Sequence, residues 1–190
     1  MLKNKEFTHS VADLEDSARF TVHDSPRARG YFTQKAPIRV DQALLTELKK
    51  IHGQLGDRNV RLCLHPGPES LNHEMLILER KGRYYRPHRH EDKGETFHMI
   101  EGRMGVFSFS ESGEVLDACV LEPGNCFIYK VQACMNHAVM PLTETVIYFE
   151  SKPGPFAGEN DSIFPEWAPD GRNEEEVKVY TDRLKQCLEA

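Results

Sequence analysis

From Asp41 onward, Leu44, Leu48, Ile51 and Leu55 recur at three- and four-residue spacing, the period that gathers apolar side chains on one side of a helix. Asp41 stands where a carboxylate can cap the first turn and Gly56 ends the run, so a helix is predicted over 41–55, lying against a barrel or a partner subunit. The period then shortens. Strand-like runs occupy 60–64, 74–79, 83–90, 95–100, 103–110, 115–121, 126–131 and 144–151, with turn-forming pairs at Lys93-Gly94, Glu101-Gly102, Ser112-Gly113 and Pro123-Gly124. Many short strands punctuated in this way predict an all-β sandwich or barrel rather than an α/β sheet. A helical period returns near the end. Asn173 with Glu176 three residues later forms a capping box, and Val177, Tyr180, Leu184, Cys187 and Leu188 share one face. Residues 1–30, polar with scattered aromatics, are expected to form a loosely ordered arm. The chain thus divides into an arm and helix over 1–58, a barrel over 59–156, and an extension with a helix over 157–190.

Composition narrows the function classes. Thirty acidic against 24 basic residues give a net charge of −6, with no basic run to follow a nucleic-acid backbone. The start, Met-Leu-Lys-Asn-Lys-Glu-Phe, lacks the apolar core of a secretory signal, and no long apolar run offers a membrane span. Five cysteines without a C-x-x-C pair fit reduced thiols better than a disulfide framework, so a cytoplasmic location is expected.

The chemistry concentrates in residues 82–102. His88 and His90 are two apart, Glu95 follows after the turn signal Glu91-Asp92-Lys93-Gly94, and His137 lies farther on. Alternate residues of a strand face the same side, so His88 and His90 can reach one metal together, and an antiparallel neighbour returns Glu95 beside them. Three imidazoles and a carboxylate suit one divalent transition metal ion; iron, manganese, nickel, copper and zinc all tolerate such a set. Four protein ligands in octahedral geometry leave two positions for water, substrate or dioxygen, whereas a closed tetrahedral zinc site is structural.

The arrangement G-x5-H-x-H-x4-E-x6-G, running from Gly82 to Gly102, resembles the first motif of the cupin superfamily. The second motif is matched by the turn Glu122-Pro123-Gly124-Asn125 and by His137, although Gln132-Ala133-Cys134-Met135-Asn136 replaces the usual proline and glycine before that histidine. Further stretches resemble the WbuC-type cupin-fold metalloproteins: Ser25-Pro26-Arg27-Ala28-Arg29, Tyr85-Arg86-Pro87-His88-Arg89-His90, Lys152-Pro153-Gly154-Pro155-Phe156 and Trp167-Ala168-Pro169. The resemblance implies a cupin-type double-stranded β-helix, a jelly-roll barrel with an N-terminal helical arm and a C-terminal helix. It also implies a setting in bacterial surface-polysaccharide synthesis.

If His88 and His90 face inward on a regular strand, Arg86 and Tyr84 share their side, making both candidate ligand-binding residues. Arg86 is the candidate clamp for a carboxylate or phosphate. Phe97 and Met99, alternating with Glu95, are expected to line the interior, and His98 to face outward. His65 and His73 read as satisfied polar residues, Cys126 and Cys134 as small hydrophobes, and Tyr129 and Tyr148 pair with no base. The expected function is a metal-binding cupin acting on a small polar metabolite, anionic or sugar-like, such as a sugar or sugar nucleotide. The metal would serve as Lewis acid for an isomerase- or epimerase-like reaction. An iron-dependent dioxygenase and a non-catalytic metabolite-binding or sensor module are the alternatives. The apolar stripe of the 41–55 helix and the exposed edges of such sheets predict a homodimer.

Overall fold

A computed structural model describes residues 13–35 and 37–189. The strands are β1 (Phe20–Asp24), β2 (Ala28–Thr33), β3 (Asn59–Cys63), β4 (Asn72–Arg80), β5 (Glu95–Glu101), β6 (Met104–Phe109), β7 (Val115–Leu121), β8 (Ile128–Val131), β9 (Asn136–Pro141) and β10 (Thr145–Pro153). Among the described residues two α-helices accompany them, α1 (Gln42–Gln54) and α2 (Glu174–Cys187). A seven-stranded sheet runs β1-β2-β3-β4-β10-β5-β8 and a three-stranded sheet runs β7-β6-β9. Every pairing is antiparallel except β2 with β3. The last strand therefore sits between two early ones, and the two sheets face each other as a cupin-type jelly roll.

Period-two alternation sets what each face of the large sheet meets. Val60 and Leu62, Leu76 and Leu78, and Ile147 face outward, where α1 covers them with Leu44, Leu45, Leu48 and Ile51. Asp41 caps this helix, its carboxylate accepting from the Leu44 amide at 3.0 Å. The alternate residues face inward: Cys63, Met75, Ile77, Phe97, Met99, Val131, Val146 and Tyr148 meet Met104, Val106 and Leu121 of the small sheet across the barrel. At about 1.5–3 kcal/mol for each large apolar side chain buried, these two layers carry most of the driving force.

Helix α2 covers the outside of the small sheet. Leu184, Tyr180 and Leu188 pack with Phe107, Phe109 and Ala138, and the Asn173 carboxamide caps the helix by accepting from the Glu175 and Glu176 amides. The fit depends on Gly105 of β6, where a Cβ would stand 2.7 Å from Leu188 Cδ1. Among the described residues no helix is long and apolar enough to cross a membrane.

Four expectations are corrected. The stretch over 1–30 read as a loose arm instead holds β1 and the start of β2, which pair as a hairpin and extend the large sheet through β3; residues 1–12 lie outside the described part. The 83–90 run is not a continuous strand: it pairs only at His88 with His137 and at Arg89 with Ile163. Strand β9 was not anticipated, because its polar start at Asn136 and His137 carries no alternating signal. The apolar stripe of the 41–55 helix is used within the chain, so it offers nothing to a second copy.

Candidate metal centre

His88, His90, Glu95 and His137 converge. One donor atom from each lies within 4.8 Å of all the others. His88 and His90 come from the irregular 83–90 segment, Glu95 opens β5, and His137 is the second residue of β9, held by the backbone bridge to His88. The replaced proline and glycine ahead of His137 are therefore compensated by strand pairing: the His88 amide donates to the His137 carbonyl at 3.0 Å and the reverse bond is 2.8 Å. Only His88 is partly exposed; His90, Glu95 and His137 are buried.

The imidazoles are aimed by their far nitrogens. Each Nδ1 faces a backbone carbonyl: His88 that of Arg86 at 3.2 Å, His137 that of Met135 at 3.0 Å, and His90 that of Asp161. Carbonyls only accept, so each Nδ1 bears the proton and each Nε2 turns a lone pair inward, the arrangement in which second partners fix metal-binding histidines. Two of those nitrogens then rest on a carboxylate. His90 Nε2 lies 2.8 Å from Glu95 Oε1 and His137 Nε2 2.9 Å from Glu95 Oε2. Acceptor against acceptor at that distance is repulsive unless a positive species lies between them, a proton on each ring or a metal ion. The donor set fits a divalent transition ion.

The electrostatics hold His88 and Glu95 in ligand form. Burial and the neighbouring His137 push the His88 imidazole down to about 3, so it stays neutral. Burial alone would raise Glu95, but hydrogen bonds from His137 and His90 and the Lys152 ammonium hold it well below the usual carboxylate range. Burial opposes a charge on His90 too, and the Glu95 contact outweighs it, raising His90 above its ordinary value.

Tyr84 and Arg86 are not brought to the cluster with the histidines. The Tyr84 hydroxyl donates to the Pro169 carbonyl at 2.9 Å and its ring meets Tyr180 of α2 edge-on, on the outside of the barrel. Arg86 donates to the Pro165 carbonyl at 3.2 Å and stacks 5.1 Å from the centre of the Phe164 ring. It is Tyr85 that turns to Asn59, at 3.0 Å. The parity argument fails because residues 83–87 are not strand-paired and Pro87 precedes the bridge. Elsewhere Phe97 and Met99 line the interior and His98 is exposed, as alternation requires. His65 and His73 stack on each other, their centroids 4.4 Å apart. Tyr129 donates to Asp117 at 2.7 Å, while Cys126 and Cys134 are exposed rather than buried.

Four residues of the neighbourhood went unread in the sequence. Lys152 reaches Glu95 Oε1 at 2.7 Å and Glu150 at 3.3 Å. Lys93 pairs with Asp161, whose carbonyl receives His90. Phe164, about half exposed, lies with its ring centre 6.0 Å from that of His88. The signal for Lys152 was present in the Lys152–Phe156 stretch, but nothing local ties its ammonium to Glu95.

Residues 40–121 match the family described as a domain of unknown function, DUF6016. No curated protein matches the chain. Among solved structures, CapF bound to the inhibitor 3-isopropenyl-tropolone aligns at a TM-score of 0.49 and 14% identity, over 57% of this chain and 32% of that one. The capsular polysaccharide assembling protein CapF of Staphylococcus aureus aligns at 0.47 and 12%, over 55% and 29%. The L-ribose isomerase of Cellulomonas parahominis with L-psicose gives 0.46 and 15%, over 57% and 70%. The chain thus spans about a third of the CapF chains it aligns with.

Proposed function

We propose that this chain is a metal-dependent cupin that acts on a small polar metabolite in an isomerase- or epimerase-like reaction. A sugar or sugar nucleotide of bacterial surface-polysaccharide synthesis is the proposed substrate class. The observation that carries the reading is the set of three imidazoles tied back through Nδ1 with their Nε2 lone pairs converging around Glu95. A divalent ion held by His88, His90, Glu95 and His137 supplies Lewis-acid polarisation of a ligand oxygen.

The chain's own residues define the approach. His88 is the partly exposed member of the cluster and Phe164 is the half-exposed ring beside it, so a ligand would reach the cluster from that side. One face of Phe164 is covered by the stacked Arg86 guanidinium, and the other would give the C–H side of a sugar ring an apolar surface. Burial of the remaining ligands excludes bulk water. The surface-polysaccharide setting rests on the resemblance of the four stretches named above, and a cytoplasmic homodimer belongs to the same proposal.

The test is metal analysis of freshly purified protein, followed by NMR of sugars, sugar phosphates and sugar nucleotides incubated with it. One bound transition ion per chain and interconversion of one compound class is the expected result. Less than stoichiometric metal, even after reconstitution, would remove the reading. Tight binding without turnover would move the chain to the sensor class, and oxygen consumption with ferrous iron to the dioxygenases.

A further inference from the structure

Beyond β10 the chain does not leave the barrel. Residues 154–163 fold back across its mouth, starting at a glycine that admits no side chain: a Cβ on Gly154 would stand 1.9 Å from the Ser70 carbonyl oxygen. The segment then turns through Gly158–Asn160 and pairs at Ile163 with Arg89. Its contact with the cluster is made by one residue. The Asp161 carbonyl receives His90 Nδ1, while the Asp161 carboxylate accepts from the Ala157 amide at 3.1 Å and from the Lys93 ammonium. Lys93 also donates to the Pro155 carbonyl at 2.5 Å. Both lysine partners therefore belong to the strap, and the lysine itself comes from the turn between His90 and Glu95.

The burial of this group is unusual for its charge. Lys93 is 8% exposed and Asp161 6%. Pairs of this kind gain little stability over an apolar alternative, because desolvation offsets most of the attraction, and their best-attested use is to fix one arrangement among several. Here the arrangement fixed is the carbonyl that orients His90.

We propose that Lys93 is a positioning residue for the metal site, acting through Asp161 on His90, and that the 154–163 strap is the outer shell of that site. The inference rests on the metal reading above. Partners of metal-bound histidines typically govern metal affinity by about 10- to 100-fold. Lys93 touches no ligand side chain; of its two partners on the strap, Pro155 and Asp161, Asp161 is the one that meets His90.

The experiment is a competition titration with Co²⁺ against a chelator of known affinity, on the full chain and on Lys93→Met, Asp161→Asn and the double variant. Asp161→Asn keeps the carbonyl and the side-chain shape, so it carries the test if Lys93→Met fails to fold. Each single variant is expected to bind Co²⁺ about 10- to 100-fold more weakly, with an altered visible spectrum. The double variant is expected to be no weaker than the worse single one, since both break the same link. A lysine that merely stabilises the fold would lower the melting temperature of metal-free protein and leave the Co²⁺ affinity and spectrum unchanged. That result, or full additivity, would overturn the inference while the metal reading stands. Failure of the unaltered chain to bind Co²⁺ would remove both.

Discussion

The two faces of β10 are built for different ends. Its outward residues Ile147 and Phe149 sit among leucines under α1. The inward row begins in the same manner, with Val146 and Tyr148 in the apolar interior. It then becomes ionic at Glu150 and Lys152, where the strand runs beside Glu95. One strand thus holds a packed layer on one side and, on the other, passes from packing to charge within four residues. Stability and chemistry are separated by facing and by position along the strand, so a substitution on one face should leave the other's property intact.

The strongest break of this separation comes from the ligand side. His88→Ala with His90→Ala should abolish stoichiometric metal binding, read by elemental analysis, while the far-ultraviolet circular dichroism remains that of a β protein. Conversely, Leu62→Ala beneath α1 should cost about 2–5 kcal/mol in denaturant unfolding, the usual range for a buried leucine, and leave Co²⁺ affinity within twofold. Loss of metal from Leu62→Ala, in protein still folded, would show that the two faces are not independent.

A finer contrast lies in acid and base sensitivity. On the helix side, burial and the Arg80 charge push His52 down to about 4, and its Nε2 has no partner among the described residues. A depressed histidine contributes stability that is fully present above its ordinary value of 6.5 and lost as the pH falls towards about 4. In the interior, burial lifts Glu79 to about 7. A raised carboxyl contributes stability present below its ordinary 4.5 and lost as the pH rises through about 7. In unfolding of chelator-treated protein between pH 4 and 8, His52→Gln should flatten the acid limb and Glu79→Gln the alkaline limb. Identical pH profiles for the two variants would contradict this assignment.

Smaller effects sharpen the picture at the mouth of the barrel. Arg86→Gln should retain metal and weaken any ligand that lies on Phe164 by about two- to fivefold, the value of losing a cation–π contact of about 0.5–1 kcal/mol. An unchanged affinity would make Arg86 purely structural. The least direct expectation is a homodimer at micromolar concentration in sedimentation. With α1 committed internally, its interface would have to use exposed residues such as Leu116, Phe127 and Ile128.

The fold was legible because its periods are local. Leu44 to Leu55 and the Asp41 cap announce α1, and the 115–121 strand was bounded by its turns alone. The four residues of the candidate metal site were legible for a similar reason, as residue types at fixed spacing. What escaped depends on distant partners. Lys152 meets Glu95 only because β10 lies beside β5, and Asp161 reaches His90 only because the strap folds back. Tyr84 and Arg86 were misplaced because parity was extended through a segment that has no strand neighbour to enforce it, and β9 was missed because its pairing with β6, not its own pattern, makes it a strand.

The insertion of β10 between β4 and β5 has a kinetic consequence. Neither neighbour can complete its hydrogen bonding until the chain has been made as far as Thr145–Pro153, and topologies dominated by such distant pairings fold on the millisecond-to-second scale. During synthesis β4 and β5 therefore wait with open edges and with Ile77, Phe97 and Met99 uncovered. His88, His90 and Glu95 exist early, but their last two companions, His137 and the Asp161 carbonyl, arrive only as the barrel closes. A metal ion offered to the nascent chain would find three of the four candidate ligands and neither His137 nor the carbonyl that aims His90, so capture of the ion would report the end of folding rather than its beginning.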